Sequence, residues 1–240
     1  MNFAHRGSLT EAPENTLSAM KKALQHKPKA IELDVQLTKD GHLVVVHDQQ
    51  LTRFNKNFPG NVKDYTLDEI QRIDVGSSFS EEFAGETLAT FEELLEIFPK
   101  DLLINIEIKN IPIIYEGIEE KVIQALKKYD RMENIVISSF DHGALLKVQQ
   151  LAPEIPLGML LYYRILKPWE YAKNSNLNLV SVHPHFSYTD REFVEEFHKL
   201  GLKVYPYTVN KMDTYNRLLD IGVDGVFSNN PNIFSTINKE

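Results

Sequence analysis

The sequence contains no cysteine among its 240 residues. A disulfide framework and thiolate catalysis are therefore excluded, and the absence fits a reducing compartment. No apolar run approaches the roughly 18 residues that a membrane-spanning helix requires. Met1 is followed at once by Asn2-Phe3-Ala4-His5, without the basic and apolar regions of a signal peptide. We therefore expect a cytoplasmic protein without stable membrane association.

Positive charge is scarce as well. Lysine and arginine number 26 against 34 aspartate and glutamate residues, which gives a formal net charge of −8. Because such a field repels polyanions, the composition disfavours nucleic acid and anionic membranes as partners. A small anionic substrate stays compatible with this charge where cations are concentrated locally. With 42% hydrophobic residues and no repeat or linker, residues 1–240 are predicted to form one domain.

Short apolar runs that favour strands alternate with helical periods along the chain. The runs lie at 2–5, 31–37, 43–47, 102–108, 135–139, 157–161, 178–183, 203–208 and 224–228. Asp40-Gly41 between the second and third runs predicts a hairpin, so the third run returns antiparallel. The other eight runs predict an α/β fold, a TIM-type (β/α)8 barrel. If Asp40 and Gly41 alone form the loop, Asp34 lies opposite His47 in the ribbon.

Residues 49–87 interrupt this alternation. The segment contains a short helix signal, several glycines and scattered aromatic residues. It is longer than an ordinary connection, and such segments are usually functional or disordered. We predict that it forms a small cap insertion after the second-strand hairpin, over the barrel mouth. We expect its aromatic side chains to form the cap's own small core rather than a lipid-binding face.

Charged residues stand in or directly after several of the apolar runs. They are His5, Arg6, Glu32, Asp34, His47, Glu107 and Lys109. Acids beside apolar strands are costly to bury without a charged partner, and a divalent cation is the simplest partner. Three carboxylates suit Mg²⁺ or Ca²⁺, and imidazoles transfer protons near neutral pH. The set indicates metal-assisted chemistry on an anionic substrate, although Glu32 and Asp34 also fit solvent-facing positions on an alternating strand.

A set of motifs runs from the first residues of the chain to the last. They are His5-Arg6-Gly7, Pro13-Glu14-Asn15-Thr16, Glu32-Leu33-Asp34-Val35, Asp40-Gly41, His47-Asp48, Glu107-Ile108-Lys109, Ser138-Ser139-Phe140, Tyr207-Thr208-Val209-Asn210 and Gly222-Val223-Asp224-Gly225. In this order they resemble the glycerophosphodiester phosphodiesterase family, in its cytoplasmic bacterial branch. The resemblance covers the whole chain. It implies a TIM-type barrel that cleaves glycerophosphodiesters to glycerol 3-phosphate and an alcohol.

The resemblance also implies roles for individual residues. One divalent cation, Mg²⁺ or Ca²⁺, would be held by Glu32, Asp34 and Glu107. The acid/base pair would be His5 and His47. The substrate would be bound by Arg6, Lys109 and Glu14, with Asn15 supporting the site. Phe140 and Tyr207 end predicted strands and could fill the core or contact substrate; we assign them to substrate binding. Which histidine is the acid, and whether water or the glycerol 2-hydroxyl attacks, stays open.

The chain departs from the family pattern at two places. Tyr207 stands where the family commonly has tryptophan before Thr-Val-Asn, and Ser228-Asn229 stands where it often has Thr-Asp. We expect both departures to affect the alcohol side of the pocket and to touch neither the metal ligands nor the histidines.

Two other functions are compatible with the same fold. The first is a phospholipase-D-like hydrolase of lysophospholipids, against which the net charge and the lack of a long apolar segment count. The second is a non-catalytic barrel that binds a phosphorylated metabolite, which the complete set of candidate site residues disfavours.

Overall fold

The computed structural model describes residues 1–231 of the protein, so the last nine residues of the predicted domain 1–240 lie outside the described part. Within it, nine strands form one sheet. The strands are β1 (Asn2–His5), β2 (Ala30–Leu37), β3 (Leu43–Val45), β4 (Leu103–Ile108), β5 (Ile135–Ser139), β6 (Leu157–Leu161), β7 (Leu179–Pro184), β8 (Lys203–Val204) and β9 (Val226–Ser228).

The strand order is that of a curled parallel sheet. It runs β8-β7-β6-β5-β4-β2-β1-β9, and β3 pairs only with β2, antiparallel to it. Backbone hydrogen bonds join the two edge segments: Asp224 N–H donates to the Val204 carbonyl at 3.1 Å and Phe227 N–H donates to the Pro206 carbonyl at 3.0 Å. Eight parallel strands joined in this way, with helices between them, confirm the predicted TIM-type barrel.

Eight α-helices accompany the sheet in the described residues. They are α1 (Leu17–Gln25), α2 (Leu67–Ile70), α3 (Phe91–Ile97), α4 (Ile118–Lys128), α5 (His142–Leu151), α6 (Pro168–Asn174), α7 (Arg191–Lys199) and α8 (Met212–Asp220). Local sequence fixes their starts; the Thr90 hydroxyl accepts from Glu93 N–H, while the Glu93 carboxylate accepts from Thr90 N–H, a capping box. Over residues 1–231, none of the helices combines the length and the apolar character that crossing a membrane would need.

Strand β2 shows why charged side chains point into the barrel. All eight of its residues are buried, because the helices cover one face of the strand and the barrel interior the other. Ile31, Leu33 and Val35 belong to the main hydrophobic core with the surrounding helices. Since side chains alternate along a strand, Glu32 and Asp34 project from the opposite face, into the barrel.

The hairpin between β2 and β3 has a three-residue loop and not the predicted two-residue loop of Asp40 and Gly41. Gln36 pairs with Val44, and this register places Asp34 opposite Val46 instead of His47, so the predicted register was wrong by one residue. The cause is Thr38. Its carbonyl accepts from Gly41 N–H and its hydroxyl accepts from His42 N–H, both at 3.0 Å. Gly41, at φ +79°, supplies the left-handed residue that such loops require.

Residues 49–87 fold into single 3₁₀ turns and the short helix α2. Their aliphatic side chains form a buried cluster with residues of the hairpin, and Phe54, Phe58 and Tyr65 pack against it partly buried. Phe79 is instead 43% exposed. The role of this segment as a cap over the barrel mouth stays a prediction.

Candidate active site

The three predicted metal-binding carboxylates meet inside the barrel mouth. Parallel pairing of β2 with β4 sets Asp34 beside Glu107 and Glu32 beside Asn105. One oxygen from each of Glu32, Asp34 and Glu107 lies within 4.8 Å of the other two, and all three residues are buried. The barrel thus brings together acids from two strands that lie far apart in the chain.

Burial and mutual repulsion shape the electrostatics of this cluster. The pKa of Glu32 is raised well above its usual value by burial and by the charges of Asp34 and Glu107. Burial acts in the same direction on Asp34, but Arg6 and Lys109 outweigh it and hold the pKa of that carboxyl below its usual range. Close carboxylates whose pKa values are pushed apart in a cleft are typical of functional sites.

Two carboxylate oxygens have no hydrogen-bond partner among the described residues. They are Glu32 Oε1 and Asp34 Oδ1, both buried. Asp34 Oδ1 has only an ion-pair contact with Lys109 Nζ, at 3.7 Å. Because buried polar atoms are normally hydrogen-bonded, the two oxygens call for a ligand. Carboxylate oxygens at this spacing are the donors that Mg²⁺ and Ca²⁺ bind, so the residues fit a divalent cation.

Two cations lie among these acids. Arg6 Nε is 3.3 Å from Asp34 Oδ2, and Lys109 Nζ is 2.7 Å from Glu107 Oε1. Burial alone would lower the pKa of Lys109, but Glu107 and Asp34 raise it above its usual value, so the ammonium stays charged. Both side chains are mostly buried, and they give the cluster the local positive charge that the whole chain lacks.

Glu14 and Asn15 lie behind Arg6 rather than in the open pocket. The Glu14 carboxylate accepts from Arg6 at 3.3 Å and from Arg53 at 2.6 Å. The Asn15 amide donates to Asp34 Oδ2 at 3.0 Å. Both residues therefore orient site side chains, and Glu14 does not line the pocket itself.

The loop that carries Arg6 depends on Gly7. Gly7 has φ +94°, and a Cβ there would lie 2.7–2.9 Å from backbone and side-chain atoms of Ala19 in α1. We expect Gly7→Ala to destabilise the protein by about 2–4 kcal/mol, the sum of left-handed strain and overpacking. Urea unfolding would measure the loss. Gly201→Ala is the matched control, because Gly201 has φ +78° but open space around the new Cβ; we expect it to cost about 1 kcal/mol. Equal costs would mean that the contact with α1 is unimportant.

The two histidines are held through different partners. His5 Nδ1 lies 2.6 Å from Asn229 Oδ1, and its Nε2 is 3.8 Å from Glu32 Oε2. His47 Nδ1 lies 2.7 Å from Asp48 Oδ1. In each ring the Nδ1–H donates to an oxygen, which leaves Nε2 for other contacts. Burial, with Arg6 second, lowers the pKa of His5 to about 3.

Asn229 corrects one expectation from the sequence. The Ser228-Asn229 departure was expected to touch neither the metal ligands nor the histidines, and that was wrong, because Asn229 contacts His5 directly. Pairing of β1 with β9 places Ala4 beside Ser228, and the residues that follow them, His5 and Asn229, therefore lie side by side. A neutral amide therefore stands at His5 where many family members have a carboxylate.

Besides Asn229, two residues that belong to the site, Gln36 and Asn105, were not found from the sequence. The Gln36 amide donates to the carbonyls of Val46, His47 and Asp48 at 2.8–3.1 Å and fixes the segment that carries the second histidine. The Asn105 amide donates to the Ser138 hydroxyl of β5, while its buried Oδ1 has no hydrogen-bond partner within the described part of the chain. Period-two alternation from Asp34 to Gln36, and from Asn105 to Glu107, was the signal that could have found them.

Most of these side chains line one pocket of about 300 Å³, although Asp34 and Lys109 are not among its walls. Its charged and polar walls are His5, Arg6, Glu32, His47, Asn105, Glu107, His185 and Thr208, and the sequence had given His185 no role. Aromatic rings form much of the remainder, among them Phe140 and Tyr207, whose centroids are 5.7 Å apart in an edge-to-face contact. A concave site with convergent charged groups and apolar walls suits a small polar molecule that has an anionic centre.

Sequence comparison identifies relatives along nearly the whole chain. The profile of the Glycerophosphoryl diester phosphodiesterase family matches residues 5–233. A glycerophosphodiester phosphodiesterase of Caldanaerobacter subterraneus subsp. tengcongensis is 44% identical over 95% of this chain and 93% of that protein. A protein of the same name from Bacillus altitudinis is 39% identical over 99% of this chain and 98% of its own length.

Structure comparison agrees with this result. A phosphodiesterase of Oleispira antarctica, whose structure was solved in complex with the product sn-glycerol-3-phosphate, superposes with a TM-score of 0.89. It is 31% identical and covers 100% of this chain and 97% of that one.

Proposed function

The chain belongs to the glycerophosphoryl diester phosphodiesterase family, and we propose that it hydrolyses glycerophosphodiesters to sn-glycerol 3-phosphate and an alcohol at the pocket described above. The observation that carries this proposal is the convergence of three buried carboxylates, two cationic side chains and two histidines at one barrel mouth. A barrel of this type places its catalytic groups at that end of the strands.

Glu32, Asp34 and Glu107 would hold a divalent cation. Their fit rests on two buried oxygens that accept no hydrogen bond from residues 1–231 and on the mutual distances within 4.8 Å. A bound dication supplies Lewis-acid stabilisation of the negative charge that develops on the phosphoryl oxygens. A hard cation such as Mg²⁺ or Ca²⁺ matches an all-carboxylate donor set.

Arg6 and Lys109 would bind the phosphodiester. A planar guanidinium can donate to two phosphoryl oxygens, whereas an ammonium acts as a point charge. Both cations already neutralise carboxylates of the cluster, through Asp34 and Glu107. They therefore keep the site attractive to an anion, while Glu14 and Asn15 hold Arg6 and Asp34 in place. Phe140 and Tyr207 would form the wall against which the substrate packs.

His5 and His47 would divide the proton transfers. A carboxylate partner stabilises an imidazolium, so the Asp48 contact suits His47 to hold the proton that is delivered to the leaving alkoxide. The neutral Asn229 contact suits His5 to accept a proton from the attacking oxygen, of water or of the glycerol 2-hydroxyl. One ring would protonate the leaving oxygen, so no free alkoxide has to form. The other would deprotonate the attacking oxygen, so no positive charge has to develop on it.

The test is product analysis with glycerophosphocholine. We expect the purified protein to release glycerol 3-phosphate and choline in equal amounts, the first detected by a coupled dehydrogenase assay. Release of phosphocholine and glycerol would place cleavage at the other ester bond and contradict the proposal. No release of either product, with divalent ions present, would also contradict it.

A further inference from the structure

A buried tyrosine connects the loop after β4 with the part of the site that carries His47. The loop comprises residues 109–117, between β4 and α4. Tyr115, near its end, is 3% exposed, and its ring belongs to the main hydrophobic core. The Tyr115 hydroxyl donates to Gln36 Oε1 at 2.6 Å. A tyrosine outside the catalytic pocket is thus bound directly to a side chain that supports the pocket.

This hydrogen bond fixes the side-chain amide of Gln36. A carboxamide oxygen only accepts hydrogen bonds, so the phenol has to be the donor. Burial, with Asp64 adding to its effect, raises the pKa of Tyr115 above its usual value, and the hydroxyl therefore keeps the proton that it donates. Gln36 itself is fully buried, and its nitrogen donates to backbone carbonyls. Because both ends of the amide are engaged, the side chain has one orientation.

The segment that carries His47 depends on this amide. Residues 46–48 follow β3 and belong to no helix or strand, so no regular ladder holds their backbone. The carbonyls of all three residues converge on Gln36 Nε2, at 2.8, 3.1 and 3.1 Å. An amide nitrogen has two N–H groups, which the three carbonyls share. A displacement of Gln36 would therefore release the whole segment, including the imidazole and its Asp48 partner.

The same loop also carries the cation that would contact the phosphate. Lys109 is its first residue, and Asn110 comes directly after it. The backbone N–H of Tyr115 donates to Asn110 Oδ1 at 2.7 Å, while the ring hydroxyl of Tyr115 reaches Gln36. A continuous set of hydrogen bonds therefore extends from the neighbour of Lys109 to the backbone of His47.

We propose that Tyr115 is a positioning residue for the reaction, which acts through Gln36 to hold the His47 imidazole in a fixed place relative to Lys109. This inference rests on the proposed function, in which His47 transfers a proton. Tyr115 does not line the catalytic pocket, so it touches neither the substrate nor the reacting atoms. A misplacement of about 1 Å caused far from the chemistry can cost a rate on the order of 10²-fold, so a hydroxyl outside the pocket can affect kcat.

The experiment begins with Tyr115→Phe, which removes the hydroxyl and keeps the ring. We expect kcat for glycerophosphocholine to fall about 5- to 20-fold and KM to change by less than about twofold, because a misplaced imidazole slows proton transfer and leaves substrate binding intact. The same change is then made in the His47→Ala protein. There we expect kcat to fall by less than about twofold, because the ring that Tyr115 positions is already absent.

Two other variants accompany this cycle. Gln36→Met keeps the length of the side chain but removes the amide, so it should lower kcat at least as much as Tyr115→Phe and should also lose its effect in the His47→Ala protein. Tyr215→Phe is the matched control. Tyr215 is 7% exposed, and its hydroxyl accepts from Asn2 at 3.3 Å, at the end of β1 away from His5. Its loss should leave kcat unchanged.

The outcomes separate this inference from the function on which it rests. A kcat for Tyr115→Phe equal to that of the wild type overturns the positioning role alone. An equal loss in the wild-type and His47→Ala proteins also overturns it, because the hydroxyl would then support the fold and not the imidazole. If Tyr115→Phe does not fold, Gln36→Met in the same two proteins decides by the same criterion. Absence of turnover by the wild-type protein, with divalent ions present, overturns both proposals.

Discussion

Exhaustive chelation of divalent cations is expected to lower turnover of glycerophosphocholine by on the order of 10³-fold or more, because several kcal/mol of transition-state stabilisation are lost with the ion. The structural reason is the set of buried oxygens on Glu32 and Asp34 that have no hydrogen-bond partner among the described residues. Without an ion these carboxylates repel the phosphodiester that the neighbouring cations attract. Addition of Mg²⁺ or Ca²⁺ to the chelated protein should restore the rate.

Thermal unfolding gives a second measurement that does not depend on activity. An ion at 100 times its Kd stabilises the protein that binds it by about 2.7 kcal/mol, which is on the order of 5–10 °C for a chain of this size. Glu107→Gln keeps the shape of one ligand but removes its charge, so it should reduce this shift together with the rate. Activity that survives chelation, with no thermal shift on adding ions, would mean that Glu32, Asp34 and Glu107 hold no cation.

The fold was predictable because the information that specifies it is local. Each strand of the barrel is a short apolar run, and Asp40-Gly41 identified the one antiparallel return. The last strands were predicted too long: the eighth run was placed at 203–208, whereas β8 is Lys203–Val204. Pro206 has no N–H to donate to the ladder, and this shortens the regular strand.

The hairpin register was not predictable from the loop residues alone. Asp-Gly favours a two-residue turn, but the Thr38 hydroxyl competes for the backbone amide of the residue after Gly41. A side chain two positions before the expected loop therefore added a residue to it. The predicted pairing of Asp34 with His47 across the hairpin was lost, although Asp34 lies beside Glu107, which lines the same pocket as His47.

Within the site, the face on which a residue lies could be predicted from its spacing along one strand. Contacts between residues far apart in the chain could not be predicted. The alternation of side chains along β2 is sufficient to place Glu32 and Asp34 on one face of that strand. The contact between His5 and Asn229 joins residues 224 positions apart and arises only when β9 pairs with β1. Local sequence carries no signal for such a contact, which is why the effect of the Ser228-Asn229 departure was misjudged.

Replacement of His47 by alanine is expected to lower kcat for glycerophosphocholine by about 10²–10⁴-fold, the usual contribution of a positioned general acid or base. The His47 ring is held by Asp48, whose carboxylate lies 2.7 Å from Nδ1, and the His47 backbone carbonyl accepts from the Gln36 amide. In the proposed mechanism Arg6 and Lys109 bind the substrate, so KM should change far less than kcat.

The control for this variant is His42→Ala, because His42 directly follows the hairpin loop with its side chain 55% exposed, and its loss should leave the rate unchanged. His47→Ala should also keep the thermal shift produced by Mg²⁺ or Ca²⁺, since the carboxylates that would bind the ion are intact. Loss of both rate and thermal shift would indicate that the ring supports the ion or the fold instead of transferring a proton. A rate within a few-fold of the wild-type value would remove His47 from the mechanism.

Asp48→Asn, which keeps the contact but removes its charge, should lower the rate by an intermediate factor, because the imidazolium then loses its counter-charge.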